Sequence, residues 1–161
     1  MAQVIEFQPA HEEVESKEKQ VHKPDDDMLA QWLVPNLRGH LAFFHSEWKM
    51  YEGGCWRPRN AAEMRRYIRQ ELRAFRRQGV AVNQGRIKAL ASMLEDELFI
   101  PDKVISAQAE ARKQYINLRN GLFNLSTFQM EAHTADLYFT TQLDFDFDEG
   151  AACPTFNRYL N

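Results

Sequence analysis

The spacing of apolar and polar residues changes character several times along the chain, and each change marks an element. Residues 1–24 are polar, acidic and aperiodic, the pattern of a flexible arm. Asp25, Asp26 and Asp27 offer an N-cap and first-turn negative charge for a short helix from Met28 to about Pro35. Leu29, Trp32 and Leu33 share one face of it. From Leu41 to Pro58 the period becomes that of strands. The runs LAFFHS, EWKMY and CWRP are separated by Ser46-Glu47 and by Gly53-Gly54, which suits a tight hairpin. The alternation predicts that Phe43, Trp48, Met50 and Trp56 line one face of a small meander, as core.

Asn60 opens the best-defined helix, with Asn60-Ala61-Ala62-Glu63 forming a capping box and Gly79 stopping it after Gln78. At about 100° per residue, Met64, Tyr67, Ile68, Leu72 and Phe75 fall in one arc. Arg65, Arg66, Arg69, Arg73, Arg76 and Arg77 fall in another, about 120° wide. A second helix starts at Asn83 and ends before Pro101, with Ile87, Leu90, Ala91, Leu94 and Leu98 as its apolar stripe. Its late acids, Glu95, Asp96 and Glu97, oppose the helix dipole and invite a cationic neighbour, for which the arginine helix is the candidate.

Residues 101–114 are ambiguous, with room for a helical turn. YINLR-NG-LFNL signals a hairpin on a type I′ Asn120-Gly121 turn. Further strands are expected over Gln129–His133 and Tyr138–Leu143, and Pro154 suits the first residue of a closing helix that carries Phe156, Tyr159 and Leu160. The resulting class is α+β: small antiparallel hairpins and meanders packed with amphipathic helices.

The length of 161 residues fits one domain with a genuine core. No apolar run approaches the roughly 20 residues of a membrane span, no secretory signal is visible, and the two cysteines, Cys55 and Cys153, make no disulfide framework. A cytoplasmic placement is expected. The net charge of −3 conceals a separation: residues 57–88 carry 10 basic and 2 acidic side chains, whereas the arm and the second half are acidic. Local fields, not the total, decide which partners are attracted.

No phosphate-binding loop, nucleophile elbow or paired-cysteine zinc spacing occurs. His40 and His45 read as surface or turn residues flanking a strand. Asp144, Asp146 and Asp148 fail the EF-hand pattern, because position 6 would be Glu149 and position 12 Thr155. Their alternation with Leu143, Phe145 and Phe147 reads as a strand with one wet face. The arginine face is the strongest functional signal, since guanidinium groups bind phosphate oxygens bidentately. It reads either as a phosphate-contacting surface or as a charged face that is simply solvated or paired to Glu95–Glu97.

The order of motifs resembles a known family. An Asp-capped helix leads to an aromatic strand pair ending in G-G-C-W, two helices follow, then N-G-L-F-N-L-S-T, Y-F-T-T-Q-L-D-F-D-F-D and A-C-P-T-F-N-R-Y-L. This is similar to the N-terminal domain of the poxvirus-type, phage and plasmid primase–helicases, which precedes a superfamily 3 helicase ATPase, and the likeness runs from Asp25 to Asn161. Trp56, Asn120, Gly121, Leu122, Leu125, Cys153, Pro154, Phe156 and Leu160 carry it most specifically; they read as a tight turn, a helix start and core anchors, not as catalytic groups. The resemblance implies a role in DNA replication of a mobile element or virus without a reaction performed by this segment, whose parent would be a primase and ATP-dependent helicase. It implies no cofactor here, with ATP and Mg expected only for the ATPase domain. The expected partners are single-stranded or forked DNA bound without sequence preference, the helicase ATPase domain, and further copies in a hexamer; no membrane is expected.

Residues 153–161 would begin a helix leading into that ATPase, and the interrupted apolar stripe reads as the end of a fragment. Two other readings stand beside this one. The first is a protein-interaction or oligomerisation module that binds no nucleic acid. The second is a metal-dependent nucleotidyl transferase built on Asp144, Asp146 and Asp148.

Overall fold

The computed structural model describes residues 23–152 and Arg158. All of the expected acidic arm but Lys23 and Pro24, and the closing helix from Cys153 and Pro154 but for Arg158, lie outside the described residues.

Helix α1 spans Asp26–Leu37, capped by Asp25, whose carboxylate accepts from the Met28 backbone N–H at 2.8 Å. It is longer at both ends than its pattern predicts and takes Pro35 inside it. Strands β1 (Leu41–Phe44), β2 (Glu47–Glu52) and β3 (Cys55–Arg59) form an antiparallel meander. Both of its turns need left-handed backbone. Gly53 and Gly54 supply it cheaply at the second, whereas His45 and Ser46 adopt it at the first, with φ of 52° and 58°.

Helix α2 spans Ala61–Ala74 and tightens into a 3-10 turn, Phe75–Gln78, before Gly79 ends it in the left-handed conformation at φ 79°. The expected capping box is present in full. Asn60 Oδ1 accepts from Ala62 and Glu63 backbone N–H groups at 2.9 and 3.0 Å, and Glu63 accepts from the Asn60 N–H at 2.8 Å. Asn60→Ala should therefore lower stability by about 1 kcal/mol, which chemical denaturation would measure.

Helix α3 (Gln84–Glu97) starts on Asn83 as predicted. Its Arg86 pairs with Asp26 at the start of α1, which locks the two helices side by side. The main core lies between α1, α2, α3 and one face of the meander, and buries Leu29, Leu33, Trp48, Met64, Ile68, Leu72, Ile87, Leu90 and Leu94. These are the inward arcs that the helical periodicity selects.

Trp56 corrects the sequence reading, because it lies on the opposite face. The two-residue turn pairs Glu52 with Cys55 and hence Tyr51 with Trp56, while Phe43 faces Trp48 and Leu41 faces Met50. A single step of register moves a side chain to the other face. Trp56 therefore builds a second, smaller core with Ala42, Phe44 and Ile105. Its indole donates to Ala135 O at 2.9 Å and its ring stacks with Tyr138.

The ambiguous stretch after Pro101 holds two short helices, α4 (Asp102–Ala107) and α5 (Ala109–Arg112). A second antiparallel sheet follows: β4 (Tyr115–Leu118), β5 (Gly121–Asn124) and β6 (Gln129–Glu131). Leu118 pairs with Gly121, so the turn residues are Arg119 and Asn120, one position earlier than the type I′ reading placed them. Gly121 is needed for closeness instead: a Cβ there would lie 2.7 Å from the Glu131 carbonyl oxygen of β6.

The strand expected over Tyr138–Leu143 is absent among the described residues. A 3-10 turn over Ala135–Leu137 and a left-handed Tyr138 interrupt the run, and only Leu143 bridges to Leu118. The apolar-charged alternation beyond it is likewise not a strand, since Leu143 and Phe145 are exposed along with the aspartates. Fold class is α+β, with five α-helices and two three-stranded antiparallel sheets among the described residues.

Candidate nucleic-acid interface

Burial of Met64, Ile68 and Leu72 fixes the rotation of α2 and turns its opposite side to solvent. Arg65, Arg66, Arg69, Arg73, Arg76 and Arg77 are all exposed there. Arg65, Arg66, Arg69 and Arg73, with Ala62 and Gln70, line a surface recess of about 430 Å³. Among the described residues no ion pair joins any of the six to a carboxylate.

The pairing expected with α3 is not formed. Glu95 accepts from the Trp48 indole N–H at 3.1 Å on the core side, and neither Asp96 nor Glu97 reaches an arginine of α2. Ile87, Leu90 and Leu94 turn inward to the core shared with α1 and α2, and Asp96 and Glu97 are exposed.

This leaves like charges beside one another. Arg65 and Arg69, and Arg69 and Arg73, are each four apart within α2, a spacing at which like-charge pairs destabilise a helix by roughly 0.2–0.5 kcal/mol. A helix whose outer face repels itself is relieved by a bound polyanion. The methylenes of Lys23 lie beside Gly79, where a Cβ would be 3.7 Å from Lys23 Cε, so a further cation stands at the far end of the row. No periodicity marks Lys23, one of three lysines in the arm.

Part of the motif runs, Gly53-Gly54 and Thr141-Gln142, meets elsewhere, at the joint between the two sheets. Asn117, 5% exposed on β4, donates to Gly54 O at 3.1 Å and to Thr141 O at 2.9 Å. Gln142 donates to Gly53 O, and the His133 ring covers Gly54 so closely that a Cβ there would lie 2.6 Å from His133 Cγ. Asn120 clamps the following segment, donating to Phe147 O at 3.0 Å and accepting from Phe147 N–H at 2.9 Å. Trp56 and Leu122 are core residues, but Leu125 is 42% exposed and anchors no core. Its backbone N–H instead bonds Gln114 O across the sheet end. Asn117 was detectable as one polar residue in an apolar strand; Gln142 and His133 carry no such mark.

The three aspartates do not form one cluster: Asp144 and Asp146 both lie against Arg119, Asp144 at 3.7 Å, and Asp148 turns to its own loop. Asp146 is gripped by Arg119 at 3.0 and 3.1 Å, which holds its carboxyl below the usual carboxylate range through the hydrogen bond first and the charge after it. Asp148 accepts from Gly150 N–H at 2.9 Å. Among the described residues no three His, Cys, Asp or Glu side chains are grouped to hold a metal ion.

The family model described as D5 N terminal like matches residues 27–161. The chain belongs to the D5 N-terminal-like family. The match fits the N-terminal domain of the phage and plasmid primase–helicases, a domain associated with DNA replication. No curated protein matches the chain. In this D5 N-terminal-like domain Trp56 belongs to the second core and Asn120 to the turn that holds Phe147, while Cys153, Pro154, Phe156 and Leu160 lie outside the described residues. Among the described residues no helix is long and apolar enough to cross a membrane.

Proposed function

We propose that this domain is a non-catalytic part of a primase–helicase that holds DNA by its phosphate backbone along the outer face of α2. The observation that carries the reading is the row of six exposed arginines with no carboxylate partner among the described residues. Guanidinium groups bind phosphate oxygens in a bidentate fashion whatever base is attached, so the contact would be strong at low salt and indifferent to sequence. The joint between the sheets would hold the arginine-bearing half rigidly against the rest of the parent protein.

The test is fluorescence anisotropy with single-stranded and duplex DNA over a salt series. Log affinity should fall linearly with log salt, with a slope of magnitude about 4–5 if all six arginines engage phosphates. Absence of binding to either form at low ionic strength would refute the reading.

A second reading, a protein-interaction or oligomerisation surface, is favoured by one observation. Leu125, Phe128, Leu143 and Phe145 are all exposed, with Phe128 at 73%. If they form one contiguous patch, they would suit contact with another protein. Light scattering after size exclusion would show a concentration-dependent oligomer that is indifferent to DNA.

A further inference from the structure

The three tryptophans of the chain are not equivalent. Trp48 and Trp56 are 5% and 2% exposed, and their indole N–H groups donate to Glu95 and to Ala135 O. Trp32 is 40% exposed, and among the described residues its indole N–H has no acceptor. Its place on the apolar face of α1 explains the half that is covered. It does not explain why a large aromatic ring is left open to water.

The covered side of Trp32 lies on Phe75, with ring centroids 5.8 Å apart and planes 24° from parallel. Phe75 begins the 3-10 turn that carries Arg76 and Arg77, and Arg73 lies two residues before it. The same turn ends at Gly79, beside the methylenes of Lys23. An exposed indole is thus backed by a second ring, Phe75, which directly precedes Arg76 and Arg77 at the end of the arginine row. Phe75 packs on the main core from the apolar arc of the helix, while Arg76 and Arg77 stay exposed.

We propose that Trp32 is a base-stacking residue, and that the arginine row and Trp32 together form a site for single-stranded DNA. This rests on the phosphate-binding reading and adds its substrate class. Phosphates alone do not separate single strands from duplex, because both present them. An aromatic face does, because only an unpaired, splayed base can lie on it. Every base has a π face, so the preference would be for strandedness and not for sequence. The Trp32–Phe75 stack limits rotation of the indole, so less freedom is lost when a base lies on it.

The experiment uses the tryptophan emission of the full chain with an oligo-dT of about 16 nucleotides, alongside an oligomer of equal length built of abasic sites. Oligo-dT should quench the emission as it binds, since Trp32 is the accessible one among the three. The abasic oligomer should bind with little quenching. Trp32→Ala should weaken oligo-dT binding about ten-fold while leaving the abasic oligomer within about two-fold. Trp32→Phe should restore most of the loss, and the Trp32→Ala protein should bind single-stranded and duplex DNA with similar affinity.

Binding of oligo-dT with unchanged emission and an unchanged Trp32→Ala affinity would overturn the stacking site and leave the phosphate reading standing. An equal loss on both oligomers would also overturn it, because it would show a structural effect of Trp32. No binding of either oligomer by the wild-type chain would instead remove the phosphate reading on which the inference rests. The quenching measurement needs no variant, so a poorly folded Trp32→Ala does not prevent a decision.

Discussion

Reversing Arg69, Arg73 and Arg76 to Glu should abolish DNA binding at physiological salt and leave the fold intact. The three residues occupy the middle and the later part of the exposed row. Charge reversal at each removes a phosphate contact and adds a repulsion. At low salt the affinity should drop by at least about 100-fold, and the slope of log affinity against log salt should fall by about 3 in magnitude. Stability should not follow. All three side chains are exposed, and Glu and Arg are comparable helix formers. The substitutions exchange charge effects of similar small size. Positions 69 and 73 stay a like-charge pair and late carboxylates oppose the helix dipole, while the carboxylate introduced at position 69 would face Arg65 one turn away and gain an attraction to it. The melting temperature of the variant should therefore stay within about 2 °C of the parent. A variant that melts normally and still binds DNA with the parental salt slope would remove the arginine face as the contact. A variant that unfolds would show that α2 needs its arginines for structure, which their exposure contradicts.

Helices were legible in the sequence because each carries its own punctuation. Asp25, Asn60 and Asn83 all accept backbone N–H groups where their helices begin, and Gly79 closes α2 with a positive φ. The 3.6-residue period separates Met64, Ile68 and Leu72 from the arginines with no outside information. The meander was also legible in extent, but not in facing. Placing Trp56 required knowing that the Gly53-Gly54 loop holds two residues and no more, and one residue of register reverses a side chain. Downstream of Tyr138 the local pattern misleads. That segment is held by long-range contacts instead: Trp56 N–H to Phe139 O, Leu143 N–H to Asn117 O and Arg119 N–H to Phe145 O. Its partners lie well away in sequence, so alternation along it carries little information. The absence of pairing between Glu95–Glu97 and α2 has the same origin, since helix charge patterns state what a face carries and not what it meets.

Gly53, Gly54, Thr141 and Gln142 of the motif runs meet at the joint between the sheets, and the largest stability effect should be found there. Gly54→Ala should destabilise the domain by about 3 kcal/mol, a fall of roughly 6–12 °C in melting temperature. Two causes add. Gly54 has φ 92°, which a residue with a Cβ adopts only with strain, and the His133 ring occupies the space the methyl would need. Gly53 supplies the control. Its φ of 57° is also positive, yet nothing lies within 4 Å of a Cβ built there. Gly53→Asn should cost less than about 1 kcal/mol, because Asn tolerates the left-handed region. The remainder of the Gly54 effect is steric and has an identified partner, so a double-mutant cycle isolates it. In a His133→Ala background, Gly54→Ala should lose about half of its cost, with only the backbone strain left. The carbonyls of Gly53 and Gly54 accept from Gln142 and Asn117, so any displacement of the turn also strands a buried amide. Asn117→Leu should then be as damaging as Gly54→Ala, and combining the two should cost less than their sum, because either one alone already undocks the turn. Strict additivity between them would mean that the two sheets are not joined through this turn, and the clustering of motif residues around it would need another cause.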